Sequence, residues 1–283
     1  MSKFFAKPFG IGIGYRPQLN GIAQEHPELI GTYEVLMDKY FRTGEVVNAY
    51  ILKNLAEQFP LLPHGVSASF WSTSGPSEYI LRALEVLTNV IDVPYYSDHC
   101  ALTRSSDREL GHLSANHANE RMLDITLNNI RRMRERLGVP IVVENITYHI
   151  QFPLSELTPE EFFLRLVHAD PDMGVLLDLT NLFINSQNHG YNPYEFIDRL
   201  PLDRIVHIHL AGGHKTARKW LDSHSWPVHD EVFDLLSYLL AKSAPDAIII
   251  ERDDRFNRAD VIADLARVRT ICLESPLAAS LVR

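Results

Sequence analysis

Short apolar runs alternate with longer amphipathic stretches from one end of the chain to the other. The runs predict eight strands: Phe9–Tyr15, Tyr33–Met37, Leu61–Val66, Pro94–His99, Ile141–Glu144, Gly174–Leu179, Arg204–Leu210 and Ala247–Glu251. Ile-Val-Val at 141–143 and Ile-Ile-Ile at 248–250 are apolar without a break, as strands covered on both faces of a parallel sheet require. The stretches between them carry helical spacing. Glu45–Phe59 repeats its apolar positions close to a 3.6-residue period, Ser77–Val90 follows a Gly-Pro start, and Asn119–Leu137 stops at Gly138-Val-Pro. Thr158-Pro-Glu-Glu caps a helix over Glu160–His168, and further helices are predicted at Pro193–Leu200, Val228–Ala241 and Asn257–Cys272.

Strand–helix alternation of this length, undivided by any Gly/Ser/Pro-rich linker, predicts an α/β fold of the (β/α)8 TIM-barrel type. The expectation is one domain over residues 1–283, in preference to an open doubly wound sheet. Composition narrows the function. Lys+Arg 27 against Asp+Glu 36 gives a formal charge of −9, which argues against nucleic acid as a dedicated partner, since displacing phosphate counterions takes a basic surface. Two cysteines, Cys100 and Cys272, make neither a disulfide framework nor a Cys-x-x-Cys metal site. No window approaches a membrane span, and Met1 to Pro8 lacks the apolar core of a secretion signal, so a cytoplasmic location is expected.

In such a barrel the active site forms at the C-terminal ends of the strands. The chain has 13 histidines, and several fall at those ends together with carboxylates. Strand three ends in His64, strand four in Asp98-His99, strand five in Glu144-Asn145 and strand six in Asp178, with Asn181 just beyond. Strand seven carries His207 and His209 on one face, and His209, nearer the rim, is the expected ligand of the two. Asp222 and His224 follow in the next loop, and strand eight ends in Glu251-Arg252-Asp253. Taken singly, each has an ordinary explanation as a cap, an ion pair or a solvated side chain. Jointly they place carboxylates directly after fully apolar runs, where burial costs several kcal/mol unless the charge is paired or bound to a metal. Imidazole and carboxylate donors without thiolate suit iron, manganese or zinc more than calcium or magnesium.

At these residues the chain resembles the multinuclear non-heme iron-dependent oxidative enzymes, the family that includes the methanobactin-forming iron oxidase. The similarity runs from about Phe9 to Ala259 and is carried by Leu-Pro-His64-Gly-Val-Ser, Ser-Asp98-His99, Val-Val-Glu144-Asn145, Leu-Leu-Asp178-Leu-Thr-Asn181, Asn188-His189-Gly-Tyr-Asn-Pro, His209-Leu-Ala-Gly, Asp222-Ser-His224 and Glu251-Arg252. The resemblance implies a xylose isomerase-like barrel with a cluster of two or three irons, Fe(II)/Fe(III), and dioxygen as co-substrate. One iron would be held by His64, His99 and Glu144, a second by Asp178, His209 and Glu251 with Glu144 bridging, and a third by Asn181, Asp222 and His224. It also implies the substrate, cysteine residues of a ribosomally made precursor peptide, and a small partner protein that recognises the leader. The substrate thiolate would supply the soft ligand that the protein lacks, and oxidation would begin at the cysteine β-carbon.

The chain departs from the family at Lys39, where many members have Asn. Gly-His112-Leu, after a charged loop, is similar to the methanobactin-type members, whereas the Asn188-His189-Gly loop is similar to copper-associated ones. His112, His189 and His214 are candidates for proton transfer or for orienting the ligands. Two other chemistries fit the same rim. A zinc-dependent phosphodiesterase of the AP-endonuclease type would use metal hydroxide, and a sugar isomerase would use manganese or magnesium with Lys39 or Lys215 polarising a carbonyl.

Overall fold

The computed structural model describes residues 4–42, 45–106 and 108–282, so Met1–Lys3 of the N-terminal segment lie outside the described residues. Eight parallel strands close into a barrel: β1 (Gly10–Gly14), β2 (Thr32–Leu36), β3 (Leu61–Gly65), β4 (Tyr96–His99), β5 (Ile141–Glu144), β6 (Gly174–Asp178), β7 (Ile205–Leu210) and β8 (Ala247–Ile250). Their order around the barrel is β1-β8-β7-β6-β5-β4-β3-β2. Every expected strand is present, with ends within two residues of those read from the apolar runs. By internal contacts the chain groups into two units, Met1–Glu34 with Val175–Arg283, and Val35–Gly174.

In the unit over Val35–Gly174, parallel register sets His64 beside Ser97 and His99 beside Glu144. Helices Glu78–Leu87, Glu120–Leu137 and Pro159–Ala169 start at Ser77, Asn119 and Thr158, whose side chains each accept an otherwise unmatched N–H of the first turn. Two departures from expectation occur here. The helix expected over Glu45–Phe59 is shorter, Ala49–Ala56, because Glu45–Val46 pairs antiparallel with Phe41–Arg42. The charged loop before Gly111 is an antiparallel hairpin, Leu102–Ser105 with Arg108–Ser114, and His112 lies on its second strand.

In the other unit, β1 pairs with β8 and with Thr32–Glu34 of β2, β8 with β7, and β7 with β6. Close packing of β1 on β2 requires Gly12, since a Cβ there would lie 2.1 Å from the Thr32 carbonyl oxygen. Register sets Asp178 beside His209 and Gly14 beside Glu34. A helix absent from the sequence reading, Leu179–His189, begins directly at Asp178, which caps it by accepting the Asn181 N–H at 2.7 Å. His189 is therefore the last residue of a helix, with Gly190 as its left-handed stop at φ 76°, and is not in a loop. Asn188 on the same turn exchanges two 2.9 Å hydrogen bonds with the backbone of Trp220, tying down the small hairpin His214–Lys215/Trp220–Leu221. No helix among the described residues is long and apolar enough to cross a membrane.

Candidate metal centre

Within Val35–Gly174, two imidazoles converge on one carboxylate oxygen. His64 Nε2 lies 3.4 Å, and His99 Nε2 3.1 Å, from Glu144 Oε2, and all three residues are buried. Each ring is held from behind. His64 Nδ1 donates to Ser97 Oγ at 2.9 Å, the serine hydroxyl itself being directed to the Pro63 carbonyl, and His99 Nδ1 donates to the Gly65 carbonyl at 3.1 Å. A neutral imidazole that donates through Nδ1 presents its lone pair at Nε2. Lone pairs facing a carboxylate at these distances repel unless a cation lies between them or the rings take a second proton. The residues thus fit a metal ion of the imidazole–carboxylate class.

The support beneath this set is built from Asp98. Its Oδ2 accepts from Tyr96 Oη at 2.9 Å and from the Ala68 N–H at 3.1 Å, and its Oδ1 from the His99 N–H at 2.8 Å. Burial, reinforced by the charge of Asp38, pushes the Asp98 carboxyl up to about 7, and burial pushes the Tyr96 phenol well above its usual range. Only glycine fits at 65, since a Cβ there would come within 1.7 Å of Tyr96 Oη. A cavity of about 580 Å³ opens alongside, lined among others by Asp38, Phe41, Val66, Ser67, Glu109 and His112. His112 is exposed on its hairpin, with Nδ1 3.0 Å from the Leu110 carbonyl oxygen.

In the other unit, ligand atoms of Asp178, His209 and Glu251 lie within 4.8 Å of one another, all buried. His209 Nδ1 is 3.1 Å from Glu251 Oε2, and its Nε2 is 2.6 Å from Glu34 Oε2. His207 sits beside it, ring centroids 4.6 Å apart. Burial, with the neighbouring His209, holds His207 well below the ordinary histidine range.

Asp222 and His224 are brought together, with Nε2 of the histidine 2.8 Å from Asp222 Oδ1. His224 Nδ1 lies 3.3 Å from Asp253 and 3.5 Å from Glu251, on a backbone turned to φ 48°. Burial opposes charge on this ring, but Asp222 and Glu251 outweigh it and hold His224 well above its ordinary range. Asn181 is buried on the first turn of helix Leu179–His189. His214 is half-buried, with Nδ1 3.3 Å from Ser223 Oγ, and His189 is half-buried at its helix end. Sequence reasoning missed two residues here. Arg16, buried after β1, donates from Nε to Asp253 Oδ1 at 3.0 Å, and burial's pull on its charge is outweighed by Asp253. Glu34 is a polar residue inside an otherwise apolar strand, and that signal was available in Tyr-Glu-Val-Leu.

A parallel eight-stranded barrel with alternating helices is a (β/α)8 TIM barrel. Endonuclease IV from Thermus thermophilus superposes with TM-score 0.57 at 15% identity, covering 94% of this chain and 99% of that one. An L-ribulose 3-epimerase superposes with TM-score 0.54 at 10% identity, covering 91% and 83%. Likeness at these identities shows the fold alone. In sequence, the family model described as "RiPP precursor modification enzyme MbnB/TglH/ChrH" matches residues 10–272, and the chain belongs to that family. Among curated relatives, a UPF0276 protein of Acaryochloris marina is 32% identical over 253 residues, 89% of this chain and 91% of the relative. A UPF0276 protein of Caulobacter vibrioides is 30% identical over 268 residues, 93% and 95%. Family membership makes the protein a modifying enzyme whose substrate is a ribosomally synthesised precursor peptide.

Proposed function

We propose that the protein is an iron- and dioxygen-dependent oxidase or oxygenase that modifies cysteine residues of its precursor peptide. The observation that carries this reading is the convergence of His64 and His99 Nε2 on Glu144 Oε2, with both Nδ1 atoms tied back to the protein. His64, His99 and Glu144 would hold one iron; Asp178, His209 and Glu251 a second; Asn181, Asp222 and His224 a third. Iron bound there supplies one-electron chemistry with dioxygen.

The chain's own residues supply the rest. The two hydrogen-bonded imidazoles keep fixed tautomers, so metal binding needs no reorganisation of the rings. Neither cysteine belongs to a cluster of donor side chains among the described residues, and burial pushes the Cys100 thiol well above its usual range and Cys272 up to about 12. The soft ligand is left to the substrate thiolate. The cavity beside Val66 and Ser67 offers apolar and acidic walls to the peptide, with His112 at its edge. His112, together with His189 and His214, is proposed to move protons near the reacting cysteine. A small partner protein is proposed to deliver the leader, in the cytoplasm.

Elemental analysis of protein purified anaerobically from iron-supplied cells tests the reading. Iron at one or more per chain is expected. Zinc in its place would favour the hydrolase chemistry, and manganese or magnesium the isomerase.

A further inference from the structure

We propose that Glu34 is a positioning residue: from the barrel wall its carboxylate holds the Nε2–H of His209, so that this ring meets the metal through Nδ1. The inference rests on the proposed metal centre and goes beyond it by assigning the donor atom and the group that selects it. Glu34, His207 and His209 together look like a separate three-residue metal site, since their ligand atoms lie within 4.8 Å of one another. The distances argue otherwise. Ligands bound at about 2.0–2.2 Å to one metal, at angles of 90° or wider, stand about 2.9 Å or more apart. His209 Nε2 and Glu34 Oε2 are 2.6 Å apart, which is the length of a charge-assisted hydrogen bond.

Both nitrogens of His209 face carboxylates, and a neutral ring places its one proton in the shorter, stronger contact, Nε2 to Glu34 at 2.6 Å against Nδ1 to Glu251 at 3.1 Å. The opposite nitrogen, Nδ1, is then the lone pair, and it lies 3.1 Å from Glu251 Oε2. His207 does not compete for the bond, because its Nε2 is 3.6 Å from the same Glu34 oxygen, beyond hydrogen-bond reach. The geometry is therefore opposite to that of His64 and His99, which are tied back through Nδ1 and face Glu144 through Nε2. The difference lies in what stands behind each ring: Ser97 and the Gly65 carbonyl lie within reach of Nδ1 of His64 and His99, whereas the far nitrogen of His209 meets Glu34 of β2. Gly14, paired with Glu34, puts no side chain beside this bond.

The test uses metal-free full-length protein with 15N-labelled histidine. Two-bond 1H–15N spectra read the tautomer of His209, assigned by loss of its signals in His209→Gln. Wild-type protein is expected to show Nε2–H and an unprotonated Nδ1. Glu34→Ala is expected to mix the tautomers, and Glu34→Gln, which keeps an acceptor oxygen of the same shape, to retain Nε2–H. Zinc ion alone, titrated against a competing chelator and followed at the His209 signals, is expected to bind about 10–100-fold more weakly in Glu34→Ala, with Glu34→Gln in between. Should Glu34→Ala not fold, the Glu34→Gln affinity and the wild-type tautomer decide. A wild-type ring protonated at Nδ1, or zinc affinity unchanged in folded variants, would overturn the assignment while leaving the metal centre standing. Wild-type protein that binds neither zinc nor iron would remove the metal centre and this inference with it.

Discussion

Glu144→Gln is expected to lose the iron held with His64 and His99 and to stop peptide modification, while the metal-free protein melts at the same temperature or higher. The substitution keeps the shape of the side chain and removes its charge. In the native set, one carboxylate oxygen faces two imidazole nitrogens whose rings already donate through their other atoms. Without a cation that arrangement is repulsive, so a neutral amide relieves it. With a cation the carboxylate is the charged ligand, and its loss should cost more than the roughly 10–100-fold in affinity that follows loss of an outer partner. A gain of stability paired with loss of metal is the pattern of a site kept for function at the expense of the fold. Iron per chain and the melting temperature of the chelated protein, measured on the same preparation, check both halves. Full iron content in the variant would remove Glu144 from the ligand set.

The second large effect lies behind the rim. Asp264→Ala is expected to destabilise the protein by about 3–5 kcal/mol, the cost of leaving a buried charge without its partner. That is a large part of the 5–15 kcal/mol typical of a whole domain. Arg252 is only 1% exposed and pairs through Nη2 with Asp264 Oδ2 at 3.2 Å, while its Nε and Nη1 have no hydrogen-bond partner among the described residues. Asp264 also accepts the Val228 N–H at 3.3 Å, so it joins helix Arg258–Glu274 to the end of β8 and to the segment leading into helix Asp230–Leu240. The double substitution Arg252→Met/Asp264→Leu removes both charges and is expected to recover most of the loss. Urea unfolding of the two single variants and the double variant gives the coupling directly, and additive effects would show that the pair does not interact.

Strand positions were legible because β5 and β8 are unbroken apolar runs, and their polar ends stood out for the same reason. Helix Leu179–His189 was not legible. It follows β6 with no intervening loop, one aspartate serving as both strand end and cap, and its first eight residues are buried on all sides, which erases amphipathic spacing. Asn188 and His189 were noticed as a motif, but one of them anchors the Trp220 hairpin and the other ends a helix. The metal-competent residues were visible as a group because strand ends share a rim. What they touch from behind was not visible, since Ser97 and the Gly65 carbonyl lie on the adjacent strand, Arg16 lies in a loop, and Glu34 reaches His209 from a strand that does not pair with β7. Glu34 is the instructive case: a charged residue in the middle of a barrel strand signals a partner across the sheet, and only the fold says which one.

Oxidation of a peptide cysteine with iron and dioxygen is tested most directly by mass spectrometry of a Cys-bearing precursor peptide, chosen from any short open reading frames that adjoin this gene, incubated with iron(II)-loaded protein in air and under argon. The expected result is a mass change confined to a cysteine and to the sample in air, absent when the cysteine is replaced by serine. An unchanged peptide in air, or the same change under argon, would contradict it.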